Sequence, residues 1–233
     1  MSLNPASRPD PRPIRTSQPL RALVTVPALL LLIAPLGSTT GGAADRSPLR
    51  VTTATLDTAV FAGGCFWGIE AVFEHLKGVK SAVSGYAGGS TVSPSYQQVS
   101  TGATGYAESV EVIFDPAVIS YPELLQVFFT VAHDPTELNR QGPDVGTQYR
   151  SALFHRGPAQ RQAAERYVAE LVRTKAYPRP VVTQVVPLAA FYPAEAYHQN
   201  YLERHPTEPY IVYNDAPKVE HLKRAFPAWY RER

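Results

Sequence analysis

Cys65 is the only cysteine among 233 residues, and it stands inside the run GGCFWGIE that spans Gly63 to Glu70. One thiol cannot close an intramolecular disulfide or build a multi-cysteine metal site, so it is either an inert buried group or a reactive one. The setting favours reactivity. Ala59 to Ala62 reads as an apolar strand and two glycines turn the chain. Phe66, Ile69, Val72, Phe73 and Leu76 then recur at helical spacing. Cys65 is thereby placed at a helix start, where unpaired backbone N–H groups and the positive end of the dipole favour a thiolate of depressed pKa. Phe66 and Trp67 are suited to walling an apolar pocket over the sulfur, or equally to filling core.

Other groups able to do chemistry lie in segments punctuated by glycine. Glu108 follows Gly105-Tyr106-Ala107 at the entrance of an apolar strand, where a carboxyl held against a buried face keeps its proton near neutrality. A solvated strand-end glutamate is the plainer alternative. The loop Gln141 to Ser151 carries Asp144, Gln148, Tyr149 and Arg150, with Tyr149 placed just before a strand. Tyr96 follows Pro94 in another loop, and His198 and Tyr201 fall near one face of a helix in EAYHQNY. Lone histidines and loop tyrosines are more often structural than catalytic.

Alternating segments must position these groups. Strands are expected at Ala59 to Ala62, Val79 to Tyr86, Glu108 to Phe114, Ser151 to His155 and Val181 to Pro187. Helices are expected at Phe66 to Leu76, Tyr121 to Ala132, Pro158 to Lys175, Glu195 to Glu203 and Val219 to Phe226, with a short turn or helix around Ser95 to Ser100. Ser120, Pro122 and Glu123 form a start signal for the second helix, and Ala163, Tyr167, Leu171 and Val172 mark the apolar side of the third. The order predicts an α+β fold, a two-layer sandwich in which helices cover a mixed β-sheet.

Composition bounds the rest. The net charge is +2, with 44% hydrophobic and 18% charged residues. Arg8, Arg12, Arg15 and Arg21 against Asp10 put +3 into residues 1–44, which leaves −1 on the remainder. A near-neutral body argues against nucleic-acid binding, and its length and apolar content suit one domain. Ala22 to Leu36 is an apolar stretch interrupted by Pro27 and Pro35, flanked by the arginines and by a small-residue exit. That pattern reads as a signal peptide over residues 1–44, cut before Asp45, followed by a flexible lead-in over 45–57 and a catalytic domain over 58–233. It predicts a periplasmic or secreted protein, with an uncleaved membrane anchor as the alternative. The size suggests a monomer.

Six blocks taken together resemble the peptide methionine sulfoxide reductases of the A family: GGCFWG at Gly63 to Gly68, SGYAGG at Ser84 to Gly89, TGYAE at Thr104 to Glu108, HDP at His133 to Pro135, GTQYRS at Gly146 to Ser151 and YHQNYL at Tyr197 to Leu202. They occur in matching order from about Ala59 to Tyr213. The family reverses one epimer of methionine sulfoxide, the S form. The resemblance implies Cys65 as nucleophile and Glu108 as the acid that protonates the sulfoxide oxygen. It further implies Tyr96 and Tyr149 as donors to that oxygen, and Phe66 and Trp67 as the wall for the substrate methyl. Asp144 matches a loop aspartate and His198 the histidine of the YHQNYL block, both assigned to substrate binding. Tyr106 stands where the family usually has histidine, and Pro143 where it often has asparagine, which puts rim details in doubt.

The resemblance implies no metal and no organic cofactor. The substrates are free methionine sulfoxide and oxidised proteins under repair. Sulfenic acid left on Cys65 is reduced by an external thiol, whether thioredoxin, glutaredoxin or a small thiol, because Pro209 to Tyr230 carries none of the resolving cysteines that many members have. A thiol peroxidase and a non-catalytic methionine-binding module are the rival classes. On the export reading, N-terminal sequencing of protein recovered outside the cytoplasm begins near Asp45, and recovery of full-length chain from the cytosol alone would refute it.

Overall fold

The computed structural model describes residues 55–90 and 92–233. The expected signal peptide and nearly all of the expected lead-in lie outside the described residues. Asp57, assigned to the lead-in, is already the first residue of a strand.

The chain forms β1 (Asp57–Ala62), α1 (Phe66–Glu74), β2 (Val79–Ala87), the short α2 (Tyr96–Val99), β3 (Ala107–Phe114) and α3 (Tyr121–Val127). A two-residue hairpin pairs β4 (Arg140–Gln141) with β5 (Asp144–Val145) and leads to β6 (Ala152–His155). Then come α4 (Pro158–Arg173), β7 (Gln184–Pro187), β8 (Phe191–Pro193), α5 (Tyr201–Arg204) and α6 (Ala216–Ala225). Six strands form one sheet in the order β7-β6-β1-β3-β2-β8. Its pairs are antiparallel except β6 with β7. The α+β, mixed-sheet expectation is met.

Strand alternation separates two faces. Phe61, Tyr86, Val110, Val112 and Phe114 point to the large core with Phe66, Ile69, Phe73, Leu124, Phe128 and Leu222 from the helices. Val60, Ala62, Ala87, Ala107 and Phe154 form a small cluster on the opposite face with Phe191 and Leu188. β3 lies between β1 and β2, so its register is set from both sides. Glu108 has the parity of Val110 and Val112 and therefore enters the helix-covered core, directly opposite Tyr86 on β2.

Several boundaries differ from expectation for physical reasons. The Tyr121 to Ala132 helix is α-helical only to Val127, then widens to a π-turn over Phe128–Ala132 that ends at buried His133. Its start is as read, with the Ser120 N–H donating to Glu123 Oε2 at 2.7 Å. The Glu195 to Glu203 helix is broken. A 3₁₀ turn over Ala196–His198 and α5 are separated by Asn200 at φ +53°, a left-handed residue no helix continues through. Val172 faces solvent, while Tyr167 and Leu171 pack as read and are joined by Ala164 and Val168. The seventh strand is shorter than Val181 to Pro187, and β4, β5 and β8 are too short to leave a periodic signal.

Candidate active site

Cys65 is the N-cap residue of α1 and is only 7% exposed. Gly64 precedes it at φ +106°, and a Cβ there would lie 2.6 Å from the Gln141 side chain. Glycine thus supplies the turn and also lets the Gln141 side chain of the β4–β5 hairpin close against the residue before the thiol. On the other side, β3 delivers Glu108. Its Oε2 accepts the Phe66 backbone N–H at 3.2 Å, so the carboxyl caps the start of the helix that carries the thiol.

A cavity of about 260 Å³ is lined by Cys65, Phe66, Trp67, Tyr96, Glu108, Asp144, Tyr149, Glu208 and Tyr210. Seven of the eight residues singled out from sequence therefore meet in one place. A more open depression of about 320 Å³ between His155, Arg156, Pro158 and Leu188 is lined by no thiol, hydroxyl or carboxyl side chain. Tyr96 opens α2, which is capped by Ser95 and Gln98 in reciprocal hydrogen bonds. Tyr149 closes a 3₁₀ turn tied to the loop before β3. Thr147 Oγ1 donates to the Gly102 carbonyl at 3.0 Å, Gln148 Nε2 to Ser100 at 3.1 Å and Arg150 Nη2 to Gly105 at 2.9 Å. The Asp144 carboxylate accepts the Tyr210 hydroxyl.

The eighth residue, His198, does not line the cavity. It is 1% exposed and sits behind Trp67, whose indole N–H donates to its Nδ1 at 3.1 Å. An indole nitrogen is a donor only, so a neutral His198 carries its proton on Nε2. Burial lowers its pKa and keeps it neutral. Tyr201 stacks on the other side of Trp67 with centroids 3.7 Å apart and planes within 6°, a contact worth about 0.5–1.5 kcal/mol. His198 is accordingly a support for the aromatic residues that line the cavity and does not line it itself.

Electrostatics revise the expectation of a resting thiolate. Burial pushes the Cys65 thiol well above its ordinary range, and the Glu108 and Asp215 carboxylates push the same way. The Trp67 backbone N–H and the Lys218 ammonium oppose this without prevailing. The helix start fails to deliver a thiolate because burial of the sulfur, with carboxyl groups near it, outweighs the Trp67 N–H that does reach it. Glu108 itself is 2% exposed, and burial raises its pKa to about 8 against the weaker downward pull of the Phe66 N–H. Tyr96 is raised to about 12, and Tyr149 further still, chiefly by burial and then by Glu108, so both are hydroxyl donors at neutral pH. Burial also raises Asp144, opposed by its Tyr210 hydrogen bond.

Four further residues come from positions 208–218, ahead of the helix expected at Val219 to Phe226, where the sequence singled out no site residue. Glu208 accepts the Tyr201 hydroxyl at 2.7 Å and Tyr210 holds Asp144. Asp215, fully buried, pairs with Lys218 at 3.0 Å, and its Oδ2 has no hydrogen-bond partner among the described residues. A Cβ on Gly68 would lie 2.1 Å from Asp215 Oδ1 and 2.9 Å from Lys218 Nζ. The missing side chain at Gly68 is the gap through which this pair reaches the helix of Cys65. No local periodicity marks these residues, because long-range packing against α1 places them.

Residues 57–229 match the family model described as peptide methionine sulfoxide reductase. A peptide methionine sulfoxide reductase of Mesorhizobium japonicum is 56% identical over 177 residues, covering 76% of this chain and 91% of that protein. One from Thermus thermophilus is 49% identical over 175 residues, covering 75% and 98%. Among solved structures, reduced Mxr1 from Saccharomyces cerevisiae superposes with a TM-score of 0.62 at 37% identity, over 66% of this chain and 88% of that one. Methionine sulfoxide reductase A of Corynebacterium diphtheriae gives 0.58 at 38% identity, over 68% and 78%.

Gly68→Ala tests the packing at the helix start. The added methyl has to displace Asp215 and Lys218, and the variant is expected to lose about 1–3 kcal/mol, measured by chemical unfolding. Wild-type stability would show that the carboxylate does not sit against Gly68.

Proposed function

The chain belongs to the peptide methionine sulfoxide reductase family, an oxidoreductase family, and from that premise we propose the chemistry that its pocket performs on methionine S-sulfoxide, free or in oxidised proteins. The observation that carries the reading is the Glu108 carboxyl, buried in the pocket wall beside Cys65 and holding its proton up to a pH of about 8.

A sulfoxide oxygen is a poor leaving group until it is protonated, so the reaction needs an acid that still has its proton near neutrality. Glu108 gives its proton to that oxygen while the Tyr96 and Tyr149 hydroxyls hold it. The methyl lies against Phe66 and Trp67, and the two constraints together select one configuration at sulfur. Protonation leaves positive charge on the substrate sulfur. The Cys65 thiolate forms against that charge, so nucleophile and electrophile are activated in the same event. Sulfur attacks sulfur, the oxygen passes to Cys65, and the thiol proton returns to Glu108. The substrate sulfur gains two electrons and leaves as methionine, and Cys65 is oxidised to sulfenic acid. A thiol that rests neutral argues against a thiol peroxidase, which relies on a resting thiolate.

With one cysteine in the chain, the sulfenic acid has no intramolecular thiol to condense with. We assign its reduction to an external thiol, a small thiol or a redoxin, acting on a monomer outside the cytoplasm.

Two outcomes follow. The single-turnover rate of methionine formation should hold below pH 8 and fall as pH rises through about 8, where Glu108 loses its proton. Glu108→Gln should be slower by roughly 10²–10⁴-fold and lose that alkaline limb; a variant that keeps both rate and limb removes Glu108 from the reaction. With excess sulfoxide and no reductant, one equivalent of methionine should appear and the stalled enzyme should be labelled at Cys65 by a dimedone-type reagent. Continued turnover without added thiol would refute the regeneration step.

A further inference from the structure

Glu195 lies outside the cavity, yet its carboxylate reaches two elements of the site at once. Oε1 accepts the backbone N–H of Tyr96 at 2.8 Å, and Oε2 accepts the Tyr86 hydroxyl at 2.8 Å. Tyr86 is fully buried and lies directly across the ladder from Glu108. Tyr96 is the first residue of α2, whose opening N–H groups have no partner inside the helix. The same carboxylate is therefore fixed to the strand position opposite the acid and to the backbone of the tyrosine that must share an oxygen atom with that acid. Its hydrogen bonds lower its pKa against the effect of burial and hold it ionised.

The segment bearing Glu195 also braces the Tyr96 ring. The His198 N–H donates to the Glu195 carbonyl at 2.9 Å, and the His198 ring packs on Tyr96 with centroids 4.4 Å apart. Gln199 locks the segment to the sheet edge, its Oε1 accepting the Ser84 N–H at 2.9 Å and its Nε2 donating to the Ser84 and Ala194 carbonyls. The cavity-lining loop of Tyr96 thus depends on an anchor from a distant part of the chain.

We propose that Glu195 is a positioning residue that sets the Tyr96 hydroxyl relative to Glu108, through the Tyr96 backbone N–H on one oxygen and Tyr86 on the other. The proposal rests on the assignment of Tyr96 to the sulfoxide oxygen. Misplacement by a fraction of an ångström weakens a transition-state hydrogen bond more than it weakens ground-state binding, so the loss should fall on the chemical step.

The test is a double-mutant cycle read by single-turnover methionine release from methionine S-sulfoxide. Tyr96→Phe and Glu195→Ala should each lower the maximal rate, by about tenfold or more, with a smaller change in half-saturation. In the Tyr96→Phe background, Glu195→Ala should cost less than about twofold further, because both changes remove one interaction. Glu195→Gln should stay within about threefold of wild type, since its oxygen still accepts the Tyr96 N–H and its amide can donate to the Tyr86 hydroxyl. Should Glu195→Ala not fold, Tyr86→Phe removes one leg of the anchor at constant ring packing and should give a smaller loss that also vanishes in the Tyr96→Phe background. Fully additive losses, or Gln as damaging as Ala, overturn the proposal. A cost for Tyr96→Phe with none for Glu195→Ala overturns the proposal alone, whereas no cost for Tyr96→Phe overturns the oxygen-holding role as well.

Discussion

One buried carboxyl sets the terms for the rest of the site. Glu108 enters the large core from the central strand β3, where only the Phe66 N–H among the described hydrogen bonds reaches it. Desolvation penalises its charged form, and that penalty keeps a carboxylic acid protonated near pH 7. It also has a stability consequence of definite sign. A carboxyl whose folded pKa lies above its unfolded value stabilises the fold relative to neutral conditions at low pH. That contribution is lost as pH rises from the ordinary carboxyl range through about 8. The protein thus accepts a less stable fold at neutral pH in return for a working acid.

The same dryness acts on the nucleophile and reverses the simplest expectation about it. A cysteine at a helix start is ordinarily pictured as a thiolate, but that picture assumes the helix amides point at sulfur and water is near. Here the sulfur is nearly sealed and carboxyl groups lie near it, so the Trp67 amide that reaches it does not prevail. Lys218 is a cation acting on it from α6, and Asp215 already engages that ammonium. Reactivity in such a setting has to come from the substrate as much as from the enzyme.

Much of this was legible in the chain. The glycines around Cys65, the spacing of Phe66 to Leu76, the alternation of β3 and the polar loop with Tyr149 are local signals, and local signals give the sandwich and most of the pocket. What stayed hidden was set by contacts distant in sequence. Asn200 breaks an otherwise helical pattern because its N–H serves the buried Glu70, at 3.1 Å, an obligation no periodicity records. Tyr210, Asp215 and Lys218 matter because the C-terminal segment lies on α1, where Gly68 leaves room. His198, grouped with the pocket from its motif, proves to hold Trp67 from behind.

The place of β3 between two antiparallel neighbours has one more effect. A strand's side chains alternate, so whether Glu108 is an acid in the core or a solvated ion on the far face is decided by whether its position counts as odd or even in the ladder. Both ladders, to Tyr86 and its neighbours on one side and to Val60 and Phe61 on the other, fix the same count. Loss or gain of a single residue within β3 would invert that count for every residue beyond it. A length change there, unless a bulge absorbed it, would carry the acid to the far face, which no substitution at a neighbouring position can do.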